Sequence, residues 1–282
     1  MVSDPNGTSV SLARALVLGI VQGLTEFFPI SSSGHLLVVR WLLGWELGSA
    51  AVEKSFDAAV HLGTAAAAVV FLRRELFAMM RSTLSRHSDR QTRLYRRLGI
   101  LVVVASIPAA LAGVAGERFV EERLGSPLLV AVQLAIFGVL LLIVERISTK
   151  TRNLDKIGTA DALTIGTAQV LALSPGVSRS GITITAGLAR GFDSSNATKF
   201  SFLLLVPVTT GAGAFKVISM IQGGWESQLL LPFAVGIGAS AIAGFAAAWF
   251  LSTLVKTRSF LPFVIYRVIA AGFIVSVWLL RR

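Results

Sequence analysis

Apolar residues in this chain fall into long unbroken runs, not into the amphipathic stripes or two-residue alternation of a water-soluble domain. Six runs, about 56–72, 99–116, 127–145, 200–221, 229–255 and 262–280, approach or exceed the roughly 20 residues that carry a helix across a bilayer. Two more apolar stretches, 11–45 and 160–191, are interrupted by Phe-Phe-Pro-Ile-Ser-Ser-Ser-Gly-His at 27–35 and by Ser-Pro-Gly-Val-Ser-Arg-Ser-Gly at 174–181. Each half is too short to span comfortably. Polar, Pro- and Gly-rich backbone at membrane depth is tolerated only when buried in protein or lining a wet cavity. Both stretches are therefore expected to be re-entrant helix–loop–helix hairpins.

The two hairpins repeat each other. Shifted by 147 residues, positions 15–37 and 162–184 share eight of 23 residues without a gap, among them Gln22/Gln169, Ser31/Ser178, Ser33/Ser180 and Gly34/Gly181. Apolar bias produces matched Ala and Leu, but not an aligned Gln and Ser-x-Ser-Gly. The pattern predicts an all-α polytopic membrane protein forming a single membrane domain over 1–282. It is built from a repeat at about 9–146 and a second at about 160–282, each a re-entrant hairpin plus three transmembrane helices. Three crossings per repeat is an odd number, so the second copy lies inverted in the membrane.

Composition agrees: 54% of the 282 residues are hydrophobic and 15% charged, where a soluble domain carries about a quarter charged. Residues 1–7 lack a basic residue and are not expected to be a cleaved leader. The absence of cysteine excludes disulfides, thiolate metal sites and a cysteine nucleophile. The net charge of +11 is read as a membrane-facing excess, not as a nucleic-acid footprint. Eight arginines lie in 73–97, and Arg146, Lys150, Arg152, Lys156, Lys256 and Arg258 follow in the other loops of the same side. The opposite loops, 117–123 and 223–228, are balanced or acidic. The positive-inside rule then puts both termini outside, with Arg281 and Arg282 on the disfavoured side.

Chemistry concentrates in the hairpin breaks. Gln22 and Glu26 are spaced i,i+4 and share a helix face, and a carboxylate inside an apolar run marks function. Glu near a helix end reaching water or an Arg is the plainer alternative. His35 follows Ser31, Ser32, Ser33 and Gly34, a setting for a general acid or base, although a lone His is often only packed. In the second break Ser178, Ser180 and Thr183 surround Arg179. Serine before a helix caps free amides, and helix N-termini receive phosphate oxygens. Arg179 offers a bidentate donor and requires an anionic partner at that depth. The small-residue row Gly236, Ser240, Gly244 and Ala248 reads as close helix packing. Trp41, Trp45 and Trp225 read as interfacial.

Gln22-Gly-Leu-Thr-Glu26 with Ser31-Ser-Ser-Gly-His35, and Pro175-Gly-Val-Ser-Arg-Ser-Gly-Ile-Thr183, resemble the signatures of the undecaprenyl-diphosphate phosphatases of the bacitracin-resistance family. Phe56-Asp57, His61-Leu62-Gly63 and Tyr266-Arg267 also resemble family segments, so the likeness covers nearly the whole chain. The resemblance implies hydrolysis of undecaprenyl diphosphate to undecaprenyl phosphate and inorganic phosphate. That reaction recycles the lipid carrier of peptidoglycan synthesis and confers bacitracin resistance. It further implies Glu26, Ser32, His35 and Arg179 as catalytic residues, with Ser32 the candidate nucleophile and Glu26 the ligand of a divalent cation, Mg2+ or Ca2+. Gln22, Ser31, Ser33, Ser178, Ser180 and Thr183 are candidate substrate-binding residues. Gln22 stands where many members have Glu, and His61 where Gln is common. The expected partners are the lipid diphosphate and the bilayer of the bacterial inner membrane, with the site opening to the periplasmic face. A homodimer and the choice of serine or water as nucleophile stay open. A polyprenyl-phosphate flippase is the alternative, since inverted repeats with broken helices are a transporter pattern. The type-2 phosphatidic acid phosphatases fit less well, because they need a further His and Asp after the Ser-Arg.

Overall fold

The computed structural model describes residues 10–86, 89–222 and 227–281, without the side chains of 117–122, 212, 214–222 and 227. The first hairpin is α1 (Leu12–Phe27) and α2 (Ser32–Leu43). Ser11 starts α1 by accepting a hydrogen bond from the Arg14 amide at 3.2 Å. Phe28 ends it with extended backbone, the conformation forced on a residue before proline, here Pro29. Gly44, at φ 60°, closes α2 as a left-handed cap. The second hairpin is α7 (Thr159–Val170), a 3-10 turn at Leu171–Leu173, and α8 (Arg179–Ala189). Both breaks are shorter than the polar segments suggest, because serines and Arg179 are recruited into the first turns of α2 and α8.

Between the hairpins run α3 (Ala50–Phe71), α4 (Arg73–Leu84), α5 (Arg90–Arg123) and α6 (Pro127–Ile147); after the second come α9 (Ser194–Gln222), α10 (Leu230–Leu254) and α11 (Leu261–Leu280). Among the described residues, four helices are long and apolar enough to cross a membrane: residues 90–116 of α5, and α6, α10 and α11. The pair α3 and α4, bent by 75° at Leu72, makes a fifth if counted as one. The sixth expected span, 200–221, lies within α9. The Arg-rich segment 73–97 is not the loop it resembles in sequence. Its first part is the amphipathic helix α4, with Met79 buried and Phe77, Met80 and Leu84 exposed. The expected loop 117–123 is a continuation of α5, while Trp225 and Glu226 lie outside the described residues.

In lipid, helices associate by close packing rather than by apolar burial. Helix α10 shows this, receiving α1 on one side and α3 on the other along its row of small residues. A Cβ on Gly23 would come 2.6 Å from the Ser240 carbonyl oxygen, and the Ser240 hydroxyl donates to the Val60 carbonyl at 2.7 Å. Helix α7 packs on α5 as α1 packs on α10, α3 meets α9, and α6 pairs with α11. The outward faces carry apolar side chains such as Ile20, Leu111, Ile136, Ile242 and Phe273.

The base of the second hairpin is tied down by charge. Asp161, in the first turn of α7, accepts from Arg152 at 3.0 and 2.7 Å, from Arg190 at 2.7 Å and from the Gly158 amide at 2.9 Å. Burial pushes its carboxyl up, and these donors more than offset that and hold it at about 2. At the other face Arg281 has a use that the charge rule ignores. It donates to the Trp41 and Leu42 carbonyls at 2.8 and 2.9 Å, closing the C-terminus of α2 and lying over the Trp41 ring.

Candidate active site

The two hairpin tips meet in the interior, and a buried arginine joins them. Arg267 of α11 is 0% exposed. It donates to Pro29 in the first tip (2.9 Å), to Gly176 and Val177 in the second (3.0 and 3.2 Å), and to Leu134 and Gln133 of α6 (2.8 and 3.3 Å). A cation at this depth is costly unless its donors are used, and here five carbonyls use them. The tips also bond directly: the Gly176 amide donates to Ser31 Oγ at 2.9 Å and Ser180 Oγ to the Phe28 carbonyl at 2.8 Å. Gly176 has φ 106°, and a Cβ on Gly34 would meet Val130, Gly176 and Ser31 at 3.1–3.2 Å. Glycine lets the two backbones pass. Ser31 and Ser178, equivalent in the repeat, share unusual backbone at φ 75° and 77°, strain of the kind that clusters at functional sites.

Glu26, at the end of α1 and 6% exposed, is the hub. Ser32 Oγ donates to its Oε2 at 2.5 Å and Gln22 Nε2 to the same oxygen at 3.0 Å, while Arg179 Nη2 donates to Oε1 at 3.0 Å. The other arm of Arg179 is fixed on the Ser201 carbonyl at 2.8 Å. The anionic partner expected for Arg179 is thus Glu26. These groups open on a cavity of about 390 Å³ whose lining includes Glu26, Ser31, Ser32, Ser33, Ser178 and Arg179. No side chain caps the N-terminus of α2, so its first amides are available to an oxyanion.

The other predicted residues divide differently. Gln22 is buried behind Glu26. Ser180 and Thr183 are spent on internal bonds, Thr183 Oγ1 donating to the Arg179 carbonyl at 2.8 Å and to Ser201 Oγ at 2.7 Å. His35 faces away from the cavity: its ring bonds the Ser31 carbonyl and Tyr266 Oη, each at 2.7 Å. It lines a separate apolar groove of about 190 Å³ with Val38, Leu134, Tyr266 and Phe273. One turn of α2 sends Ser31–Ser33 to one side and Gly34–His35 to the other. The imidazole in the cavity is His61 of α3, with Nε2 3.6 Å from Glu26 Oε2, alongside Lys54 and Thr209. No local pattern in α3 points to His61, because its neighbours arrive from α1, α8 and α9.

The model of the bacitracin resistance protein BacA family matches residues 15–273. The chain belongs to that family. Among curated relatives, the undecaprenyl-diphosphatase of Pelobacter propionicus is 45% identical over 271 residues, 95% of this chain and 97% of the relative. That of Rubrobacter xylanophilus is 42% identical over 274 residues, 96% and 100% of the two chains. That of Alcanivorax borkumensis is 42% identical over 269 residues, 94% and 98%. The BacA match takes in both hairpin tips and every residue lining the cavity.

A hard divalent cation wants about six oxygens, usually from several carboxylates or from substrate phosphates. In this BacA-family site Glu26 already accepts from three side chains. The other nearby carboxylate, Asp57, is clamped by both arms of Arg40 at 2.7 and 2.9 Å. Among the described residues no three His, Cys, Asp or Glu converge. The side chains present do not fit a resident cation.

Proposed function

We propose that this chain hydrolyses undecaprenyl diphosphate to undecaprenyl phosphate and inorganic phosphate by way of Ser32. The observation that carries this reading is the Ser32–Glu26–Arg179 constellation on the wall of the cavity. A serine hydroxyl is a weak nucleophile until an adjacent base takes its proton. Ser32 Oγ already donates to Glu26, and Arg179 holds that carboxylate in place. The terminal phosphoryl group binds between Arg179 and the open amides of α2, donors set where charge develops in the transition state. Ser32 Oγ attacks phosphorus as its proton passes to Glu26. The bond to the bridging oxygen breaks, and polyprenyl phosphate leaves. Glu26 hands that proton to the departing phosphate, then takes one from the water that cleaves the phosphoserine and returns it to Ser32 Oγ as inorganic phosphate leaves.

The inverted repeat fits this site. The paired contacts α1–α10 and α7–α5, the self-paired contacts α3–α9 and α6–α11, and the matching backbone of Ser31 and Ser178 are what a twofold in the membrane plane would produce. So is the meeting of the equivalent residues Ser32 and Arg179 on one carboxylate. Divergence of Glu26 from its mate Leu173 gives the first hairpin the proton chemistry and the second the phosphate. Orientation follows from charge. Lys54 lines the cavity near the start of α3, while the Arg-rich α4 lies at that helix's far end, about 27 Å away at 1.5 Å per residue. With α4 cytoplasmic, the cavity opens to the outer face of the plasma membrane.

The test uses purified protein, a short-chain prenyl diphosphate and rapid acid quench. Phosphate release with a transient phosphate on Ser32 is expected. Sealed right-side-out vesicles should release phosphate from the impermeant substrate without permeabilisation. Turnover that proceeds in Ser32→Ala would replace the serine by water, and release from inverted vesicles alone would reverse the orientation.

A further inference from the structure

The cavity wall is unusually poor in free carboxylate for a site that must hold a diphosphate. Gln22 turns its amide N–H2 towards Glu26, and its Oε1 is buried with no partner, adding at most one neutral oxygen. His61 Nδ1 contacts the Asp57 carbonyl at 2.7 Å, an acceptor only, so Nδ1 carries the proton there. The opposite nitrogen, Nε2, faces Glu26 and the cavity, and with a proton on it that nitrogen is a donor to a carboxylate or phosphate oxygen. Around this ring stand Arg179 from α8 and Lys54 and Asp57 from α3, with Arg40 of α2 behind Asp57. Two carboxylates thus meet three cationic side chains, and each carboxylate is held by an arginine. Such a wall attracts an anion and offers a hard cation no vacant charged oxygen. Lys54 and the guanidinium of Arg179 place positive charge on this wall, which is what a diphosphate is drawn to.

We propose that this chain binds the diphosphate group on side-chain donors, with His61 a direct contact of the phosphate oxygens, and keeps no divalent cation of its own. The proposal rests on the reading of the cavity as the diphosphate site. It assigns His61 a role in holding substrate, and it explains the pairing of Gln22 with His61. An amide beside Glu26 and an imidazole across from it leave one negative charge where a Glu at 22 would make two at i,i+4.

The experiment measures binding and turnover separately. Methylenediphosphonate, a non-hydrolysable diphosphate, is titrated calorimetrically into the purified protein in excess EDTA. Mn2+ is titrated into the ligand-free protein and followed by its electron paramagnetic resonance. The wild type should bind the diphosphonate in EDTA and show no Mn2+ site tighter than millimolar. His61→Ala should weaken the diphosphonate about tenfold with an unchanged melting temperature, and Gln22→Glu/His61→Gln should gain Mn2+ binding. Loss of diphosphonate binding in EDTA, a micromolar Mn2+ site in the wild type, or undiminished binding in His61→Ala would overturn the proposal. Diphosphonate binding in EDTA by a protein that releases no phosphate under any condition would leave this proposal standing and remove the hydrolase mechanism instead.

Discussion

Replacing Arg267 by Met keeps most of the side-chain volume and removes every donor. Of the five carbonyls it serves, those of Gln133 and Leu134 lie inside α6 and keep their helical partners. Those of Pro29, Gly176 and Val177 lie in the hairpin breaks, where Met supplies no replacement. A buried acceptor stripped of its donor costs about 1–3 kcal/mol, so three amount to about 3–9 kcal/mol. Relief from burying a guanidinium offsets part of this, leaving an expected loss of about 4 kcal/mol, a large share of a protein's stability. For a chain of this size that is a fall of roughly 10 °C in melting temperature. Intrinsic tryptophan fluorescence of detergent-solubilised protein on a heating ramp reads it directly. Turnover should fall with it, because Ser32 and Arg179 are brought onto Glu26 by the tips that Arg267 joins. Arg267→Lys, which can reach fewer of the five carbonyls, should lie between. A Met variant melting within about 2 °C of wild type would show that the tips hold themselves and refute the argument.

Glu26→Gln and Ser32→Ala should each lower kcat by about a thousandfold or more, since each removes one partner of a proton-transfer pair, whereas binding of methylenediphosphonate should survive Ser32→Ala. Phosphate-release assays should show His61→Ala more damaging than His35→Ala, because only His61 faces the cavity; the reverse order would mean that His35 reaches the substrate by a path other than the cavity described. Asp161 is held below the usual carboxylate range, so its ion pairs stabilise the fold fully above pH 4 and lose that contribution as pH falls towards 2. Allowing for solvent around the partly exposed arginines, Asp161→Asn should cost about 1–2 kcal/mol at pH 7. Its melting-temperature gap from wild type should close on acidification, and a gap independent of pH would exclude the charge as its cause.

Much of this protein is legible along the chain. Membrane residence follows from apolar run lengths, because a bilayer core admits only helices long enough to satisfy their own backbone. The hairpin breaks follow from Pro, Gly and Ser at a depth where free polar backbone must be buried. Glu26 and Arg179 stand out in sequence because an ionisable side chain at such depth is costly without a partner, while Ser32 is singled out from its neighbouring serines only by the family resemblance. What the chain could not specify is which side of a helix turn a residue faces once the hairpins cross. His35 is three residues from Ser32 and turns to a separate apolar groove, while His61, in the middle of α3, turns to the Glu26 carboxylate. Arg267, one of the charges within the last span, is the join between two loops 147 residues apart in sequence. Local periodicity fixes a side chain's angle about its own helix axis, but only the packing of several helices decides what lies opposite that angle.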